Sequence, residues 1–240
     1  GVVEAIAVWQ QQAPGTPEGT QFGVSQGDLL INDHGHVVFG ASLTGEGTNE
    51  DNNFGLWAES PDGVLGLLVR SGDPLPGASD DTWIRAQPRR LKFNNEYDVV
   101  LHAQLKGSNV DYMNDDVVLG FPGLGEAVVL LREGQVLDLG NGDSRTVFDF
   151  DLESELTDDG RVYLLANFTD GARAVIELTV PGAGECAADL NGDGVVDTRD
   201  FIAFLGAWAA GDPIADWDEN GLIDTRDFLA YLRDWAAGCP

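Results

Sequence analysis

The stretch that decides the fold is NDHGHVVFGASL at residues 32–43, where a polar turn runs into an apolar strand. The pattern returns as NNEYDVVLHAQL at 94–105 and again as TDDGRVYLLANF at 157–168. Successive copies lie 62 and 63 residues apart (94 − 32 and 157 − 94). Short apolar runs bounded by Asn, Asp and Gly are typical of β-strands. The sequence therefore predicts a repeated β structure with a unit of about 60 residues.

A second signature keeps the same spacing, because VRSG at 69–72 returns as LREG at 131–134. Units of this length with about four strands each are typical of propeller blades. Three units are fewer than the roughly four to eight blades of known propellers. Three alternatives therefore stay open: further units before Gly1, a ring that an N-terminal strand at 2–8 closes, or a twisted β-sandwich.

The repeat resembles a tandem repeat of secreted bacterial proteins, in which Asn-x-x-Gly-x-Val precedes an apolar strand and Arg-x-Gly-Asp-x-x-Pro-Gly ends the unit. Asn32, Gly35 and Val37 match the first motif, and residues 70–77 match the second. The second unit departs from the pattern at Tyr97, which replaces the Gly. This resemblance implies an architecture for the first part of the chain and no activity.

A different pattern follows the linker PGAG at 181–184. Two acidic segments of twelve residues, DLNGDGVVDTRD at 189–200 and DWDENGLIDTRD at 216–227, each run into an apolar pattern with helical spacing. We therefore expect a β-repeat domain over 1–181 and a small, all-α loop-helix pair over 182–240.

The two acidic segments have the spacing of calcium loops, which supply oxygen ligands at positions 1, 3, 5, 7, 9 and 12 and a Gly at position 6. The predicted ligands, with a backbone carbonyl at position 7, are Asp189, Asn191, Asp193, Val195, Asp197 and Asp200 in the first loop and Asp216, Asp218, Asn220, Leu222, Asp224 and Asp227 in the second. Four Asp side chains crowded into each loop would repel one another without a cation. We predict two calcium ions, with metal-free turns as the alternative.

Residues 186–240 closely resemble a type I dockerin, the duplicated calcium-binding module of cellulosomal and other secreted proteins. The resemblance implies two calcium ions, two antiparallel helices and docking onto a cohesin-type partner. It also implies partner-binding roles for loop positions 10 and 11, which are Thr198, Arg199, Thr225 and Arg226. The spacer and the Cys-flanked ends are similar to a variant found in bacteria without recognised cellulosomes, so a cell-surface partner is the alternative.

Two cysteines, Cys186 and Cys239, bracket this module. An even count at the two ends of one module predicts a disulfide, with two free thiols as the alternative. Disulfides persist in oxidising compartments, so we expect a secreted or cell-surface protein.

The net charge of −28 argues against nucleic acid and anionic membranes as partners, because such a surface repels both. No apolar run approaches the roughly 20 residues that span a membrane. The acidity agrees with cation binding, and a carbohydrate ligand stays open.

Catalytic motifs are absent from the sequence, which has no Ser-His-Asp order, no phosphate loop and no Cys-x-x-Cys. Carboxylate pairs such as Asp115-Asp116 are interpreted as turns, and His34, His36 and His102 as solvated side chains. A transition-metal site is the alternative for His34 and His36. We expect a secreted, non-catalytic protein; a polysaccharide-active hydrolase anchored by the same module, or an adhesive protein, is the alternative.

Overall fold

The computed structural model describes residues 5–78, 81–182, 188, 190, 196–217 and 221–237, except for the side chains of 24–27 and 237. It divides into two compact units, residues 1–181 and 182–240. The elements of the first unit are β1 (Gln21–Ile31), β2 (Val37–Thr44), β3 (Phe54–Glu59), β4 (Leu65–Arg70), β5 (Trp83–Phe93), β6 (Val99–Lys106), β7 (Asp116–Phe121), a 3-10 turn (Pro122–Leu124), β8 (Val128–Arg132), β9 (Val136–Asp138), β10 (Ser144–Leu152), β11 (Arg161–Phe168) and β12 (Arg173–Thr179). The second unit contains α1 (Thr198–Ala210), a 3-10 turn (Pro213–Ala215) and α2 (Thr225–Ala237).

The twelve strands of the described residues form three antiparallel sheets of four strands, ordered β1-β2-β3-β4, β5-β6-β7-β8 and β12-β11-β10-β9. The predicted class, mainly β with four-stranded units and a pair of C-terminal helices, is therefore confirmed. The N-terminal strand predicted at 2–8 is wrong over residues 5–8, which form no strand. Gln12 instead makes one bridge to Gln21 beside β1, as Pro74 does to Trp83 beside β5. Within the described residues, the third sheet has no counterpart of β4 and β8.

The central sheet is buried on both of its faces. Val99, Val100 and Leu101 of β6 are fully buried although neighbouring side chains point to opposite faces. One face packs on the first sheet, where Val38 and Leu56 share a core with Leu101. In contrast, β11 alternates between exposed and buried positions, as a strand covered on one face should. Stacking of sheets therefore explains why β6 has no exposed position from Val99 to Ala103.

The polar start of each repeat joins neighbouring units. The Asn32 side chain donates to the Asn94 carbonyl at 3.4 Å, and the Asn94 side chain donates to the Thr157 carbonyl at 2.9 Å. The adjacent Asn95 donates to the carboxylates of Asp33 and Asp158, each at 3.1 Å. The repeated Asn is thus a structural residue that fixes one unit against the next.

The Arg of the repeated Arg-x-Gly motif also has a structural role, within its own unit. Arg70 Nε donates to the Asn52 carbonyl at 2.8 Å, and Arg132 Nε donates to the Asn114 carbonyl at 3.2 Å, so each Arg holds the hairpin loop of its own unit. In the second of these loops, Asp111 Oδ1 accepts from the Met113 amide at 2.9 Å. The Met113 amide thus partners this acidic oxygen and orders the loop.

The second unit is built on an aromatic core. Phe204 of α1 and Tyr231 of α2 stack in parallel with ring centroids 3.9 Å apart, and both are fully buried. Trp217 packs edge-on against both rings. Helix α1 ends at Gly211, whose φ of 69° is the left-handed conformation that glycine adopts without strain. Among the described residues, no helix is both long and apolar enough to cross a membrane.

Candidate functional site

Both helices begin in the same way, and the predicted loop positions 9 and 12 are responsible. In α1, Asp197 Oδ1 accepts from the Arg199 amide at 2.6 Å, while Asp200 Oδ2 accepts from the Asp197 amide at 2.9 Å. This reciprocal pair is a capping box. In α2, Asp224 and Asp227 make the equivalent bonds, each at 2.7 Å.

These caps assign different roles to the two positions. Because Asp197 and Asp224 each use one carboxylate oxygen to cap a helix, they suit position 9, whose contact to calcium often runs through a water. Asp200 and Asp227, at position 12, are fully buried. A buried carboxylate is costly unless it is paired with a cation or hydrogen-bonded. Position 12 therefore fits the residue that calcium contacts directly.

The second loop closes on its first residue. The Gly221 amide at position 6 donates to Asp216 Oδ2 at 2.8 Å, and Gly221 has a φ of 83°, which explains the need for Gly there. The Leu222 side chain is exposed, as expected where only the carbonyl is a ligand. The described carboxylates of this loop, Asp216, Asp224 and Asp227, do not gather within 4.8 Å of one another. Positions 3 and 5 lie outside the described residues.

The remaining predicted residues of this module also lie outside the described part. They are Asp189, Asn191, Asp193 and Val195 of the first loop, Asp218 and Asn220 of the second, and both cysteines, Cys186 and Cys239. The calcium sites and the disulfide stay predictions. The described residues fit calcium in chemistry, because the side-chain donors are carboxylate oxygens, the ligands that this cation prefers.

The two loops are braced against each other by tryptophans. Trp235 Nε1 of α2 donates to the Asp197 carbonyl at 2.8 Å, and Trp208 Nε1 of α1 donates to the Asp224 carbonyl at 3.2 Å. Each helix is thereby tied to position 9 of the other helix's loop. Position 9 of each loop is therefore bonded to both helices.

The predicted partner-binding residues are exposed on the first turn of each helix: Thr198, Arg199, Thr225 and Arg226. One turn further on, Ile202 and Leu229 are 67% and 65% exposed. These two apolar residues occupy equivalent positions 27 residues apart, so each helix exposes one apolar side chain at the same place. In the sequence, Ile202 lies off the apolar helix face that Phe201, Phe204 and Leu205 form at i, i+3 and i+4, and Leu229 lies off the equivalent face of the second helix.

A second cluster, which has no signature in the sequence, lies in the β unit. Carboxylate oxygens of Asp116, Glu133 and Asp149 lie within 4.8 Å of one another, the one such group of three acids among the described residues. His102 Nε2 is 3.5 Å from Asp116 Oδ2, and Arg89 Nη1 donates to the same oxygen at 2.8 Å. The interpretation of Asp116 and His102 as turn and solvated residues is wrong, because both lie in strands and are 5% exposed.

Electrostatics within this cluster are unusual. Burial, together with the nearby carboxylates of Asp116, Asp115 and Asp149, raises the pKa of Glu133 from 4.5 to about 7. The Asp116 amide, which donates to Glu133 Oε2 at 3.2 Å, opposes this change. Glu133 is therefore a carboxyl group poised to change charge near neutral pH.

The other two histidines, His34 and His36, contact Tyr97 of the next repeat unit. His36 Nδ1 is hydrogen-bonded to the Tyr97 hydroxyl at 2.8 Å, and the His34 ring stacks on Tyr97 at a centroid distance of 6.0 Å. Tyr97 replaces the Gly of the repeat, has a φ of 62°, and is buried. Both histidines therefore pack against Tyr97 of the next unit, and a metal site at His34 and His36 stays a prediction.

A protein-family model described as a family of unknown function (DUF7453) matches residues 1–181. No curated protein and no solved structure matches this chain.

Proposed function

We propose, given that this chain belongs to the DUF7453 family of unknown function, that it is a secreted, non-catalytic protein with a calcium-loaded anchor. In this proposal, residues 182–240 bind two calcium ions and dock onto a cohesin-type or cell-surface partner. The β-repeat domain is the part that the module attaches to that partner. The observation that carries the proposal is the reciprocal bonding of Trp208 and Trp235 to position 9 of the opposite loops.

That bonding favours a cation because it makes the helix pair depend on ordered loops. Each tryptophan can reach its carbonyl only when the opposite loop holds position 9 in place. Metal ligation supplies the energy that so small a core lacks, since short modules of this size commonly need a metal or a disulfide. Calcium thereby sets the spacing of α1 and α2 and the surface that they present.

The surface offered to a partner combines one basic and one apolar side chain on each helix. Arg199 precedes Ile202 by three residues, and Arg226 precedes Leu229 by three, so each pair lies on one helix face. Guanidinium groups are conspicuous in a chain of net charge −28. A partner with an acidic rim around an apolar patch would complement this surface.

For the β domain we propose a propeller-like arrangement of its sheets. Face-to-face stacking and the Asn ladder from Asn32 through Asn94 to Thr157 support it, because both place successive units side by side in one orientation. The hydrolase alternative has weaker support. Its best carboxylate pair, Asp116 and Glu133, is 5% and 6% exposed, which leaves little room for a sugar ring.

The test is a calorimetric titration of the full chain with calcium after dialysis against a chelator. We expect two sites, and one site in Asp227→Asn, which keeps an acceptor for the Asp224 amide but loses a charge. Asp62→Asn, in an exposed turn of the β domain, is the charge-matched control and should keep both sites. No calcium binding, or an unchanged number of sites in Asp227→Asn, would refute the proposal.

A further inference from the structure

We propose that the β domain has a second kind of metal site, for one divalent transition-metal ion, ligated by Asp116, Glu133, Asp149 and His102. This inference is independent of the calcium module and concerns a different unit of the chain. The four residues come from the central and third sheets: Asp116 begins β7, Glu133 follows β8, Asp149 lies in β10 and His102 in β6.

Acidic residues alone would not make a site, but buried polar atoms without partners point to a ligand. Neither ring nitrogen of His102 has a hydrogen-bond partner, and neither has Asp116 Oδ1. Leaving a buried donor or acceptor unsatisfied costs about 1–3 kcal/mol per group. A cation between the side chains would satisfy the imidazole lone pair and the carboxylate oxygen together.

The spacing of these atoms suits a shared ion. His102 Nε2 and Asp116 Oδ2 are 3.5 Å apart, which is long for a hydrogen bond. Two ligands at about 2.0–2.2 Å from a tetrahedral zinc ion lie about 3.4 Å apart. The carboxylate oxygens of Asp116, Glu133 and Asp149 lie within 4.8 Å of one another, within reach of one ion. His102 is outside this group of three and contacts it through the 3.5 Å approach of Nε2 to Asp116 Oδ2.

The backbone of β10 aims Asp149 at this place. The pairing of β10 with β11 shifts register between Val147 and Asp149, so Phe148 is the extra residue of a bulge. A bulge redirects the side chains that follow it, and bulges are frequent beside functional sites. Asp149 and Phe150 consequently line one cavity of about 350 Å³ together with His102. This cavity therefore opens two of the four proposed ligands, His102 and Asp149, to solvent.

Comparison of the first and second repeat units shows that the cluster residues are specific to the second unit. Positions 62 residues earlier carry Gly40, Phe54 and Ser71 in place of His102, Asp116 and Glu133. There, the Phe54 ring fills the space over Gly40, where an added Cβ would lie only 2.8 Å from the ring. The first unit thus packs the position with an apolar ring, and the second fills it with three groups that can bind a metal.

The ligand set selects the class of ion. An imidazole nitrogen with carboxylate oxygens suits zinc, manganese, cobalt or iron, whereas calcium and magnesium prefer oxygen alone. Arg89 now neutralises part of the charge through Asp116 Oδ2 at 2.8 Å, and its side chain is 45% exposed. It can therefore move toward solvent when an ion enters.

The experiment titrates zinc chloride into the untagged full chain, first stripped with chelator and then saturated with calcium so that the loops are filled. We expect one zinc per chain, an affinity at least tenfold lower in Asp149→Asn, and unchanged zinc affinity in Asp227→Asn. Asp151→Asn is the matched control, because Asp151 is exposed on the same strand and lines the same cavity but lies outside the acidic group. Cobalt provides a direct readout, since visible absorption bands of a low-symmetry site that disappear in His102→Gln report the imidazole ligand.

Absence of zinc binding at a 1:1 ratio overturns the proposal, and so does an equal loss in Asp149→Asn and Asp151→Asn. If Asp149→Asn does not fold, the cobalt spectrum of the unmodified chain decides, and an aqueous-like spectrum overturns the site. None of these outcomes affects the calcium proposal, which is tested by a different cation and a different variant.

Discussion

Substituting Asn94 by Ala should destabilise the β domain strongly, because this one side chain joins two units and holds a buried carboxylate. Its amide donates to Asp98 Oδ2 and to the Thr157 carbonyl, both at 2.9 Å, and its Oδ1 accepts from the Asp98 amide at 2.7 Å. Asn94 and Asp98 are 3% and 2% exposed. Three lost bonds at about 1 kcal/mol each, one of them to a charged group, predict a loss of about 3–4 kcal/mol.

The corresponding Asn32→Ala variant is the control, since Asn32 makes two longer hydrogen bonds where Asn94 makes three. It accepts from the His36 amide at 3.0 Å and donates to the Asn94 carbonyl at 3.4 Å. We expect a loss of about 1–2 kcal/mol from these two weaker bonds. In urea unfolding of the calcium-saturated chain, Asn94→Ala should therefore shift the β-domain transition at least twice as far as Asn32→Ala.

The Asn94→Ala effect should also depend on pH. Burial raises the pKa of Asp98 above 3.8, and the hydrogen bond from Asn94 is one of the contacts that hold it down. A carboxyl group whose folded pKa is above its unfolded pKa binds a proton more tightly when folded, so the stability it contributes falls as pH rises. Removing Asn94 raises this pKa further, and the deficit should be larger at pH 7 than at pH 4. Equal losses in the two Asn variants, or a deficit that shrinks with rising pH, would refute the reasoning.

Three further predictions concern Glu133 and the helical module. In metal-free protein, the stability contributed by Glu133 should decline between pH 4.5 and about 7 by about 1–3 kcal/mol, and Glu133→Gln should abolish this part of the pH dependence in urea titrations. Trp235→Phe removes the 2.8 Å bond to the Asp197 carbonyl and should weaken calcium binding about fivefold, as measured by calorimetry. Phe204→Ala removes the ring stacked on Tyr231 and should cost the calcium-loaded module about 3–5 kcal/mol, as followed by helical circular dichroism.

Local chemistry explains what could be predicted from the sequence. Apolar runs between Asn, Asp and Gly turns identify strands, because the turn residues and the alternation depend on nearby residues alone. The same holds for the starts of α1 and α2, where Asp197 and Asp224 lie next to the amides that they cap. Equal spacing of the repeats also predicts that the first two units are built alike, as Arg70 and Arg132 demonstrate.

The acidic cluster of the β domain could not be predicted, because it depends on which strands pack together. His102 and Asp149 are 47 residues apart in the sequence, and each looks like an ordinary polar position of a strand or turn. They come together because the central sheet is covered on both faces and because a bulge at Phe148 turns β10 toward it. Neither cause leaves a local pattern.

By itself, then, the sequence determined the repeat, most of its strands, the two helices and the ligand spacing of two predicted calcium loops, since these patterns lie within short stretches of chain. The tertiary structure alone decided that Asn94 joins two units in addition to holding its own turn, and that His102 and Asp116 are buried together. The physical reason is that burial and the pKa of a group such as Glu133 are set by neighbours from distant strands. Those neighbours are chosen by sheet stacking, which a single repeat does not specify.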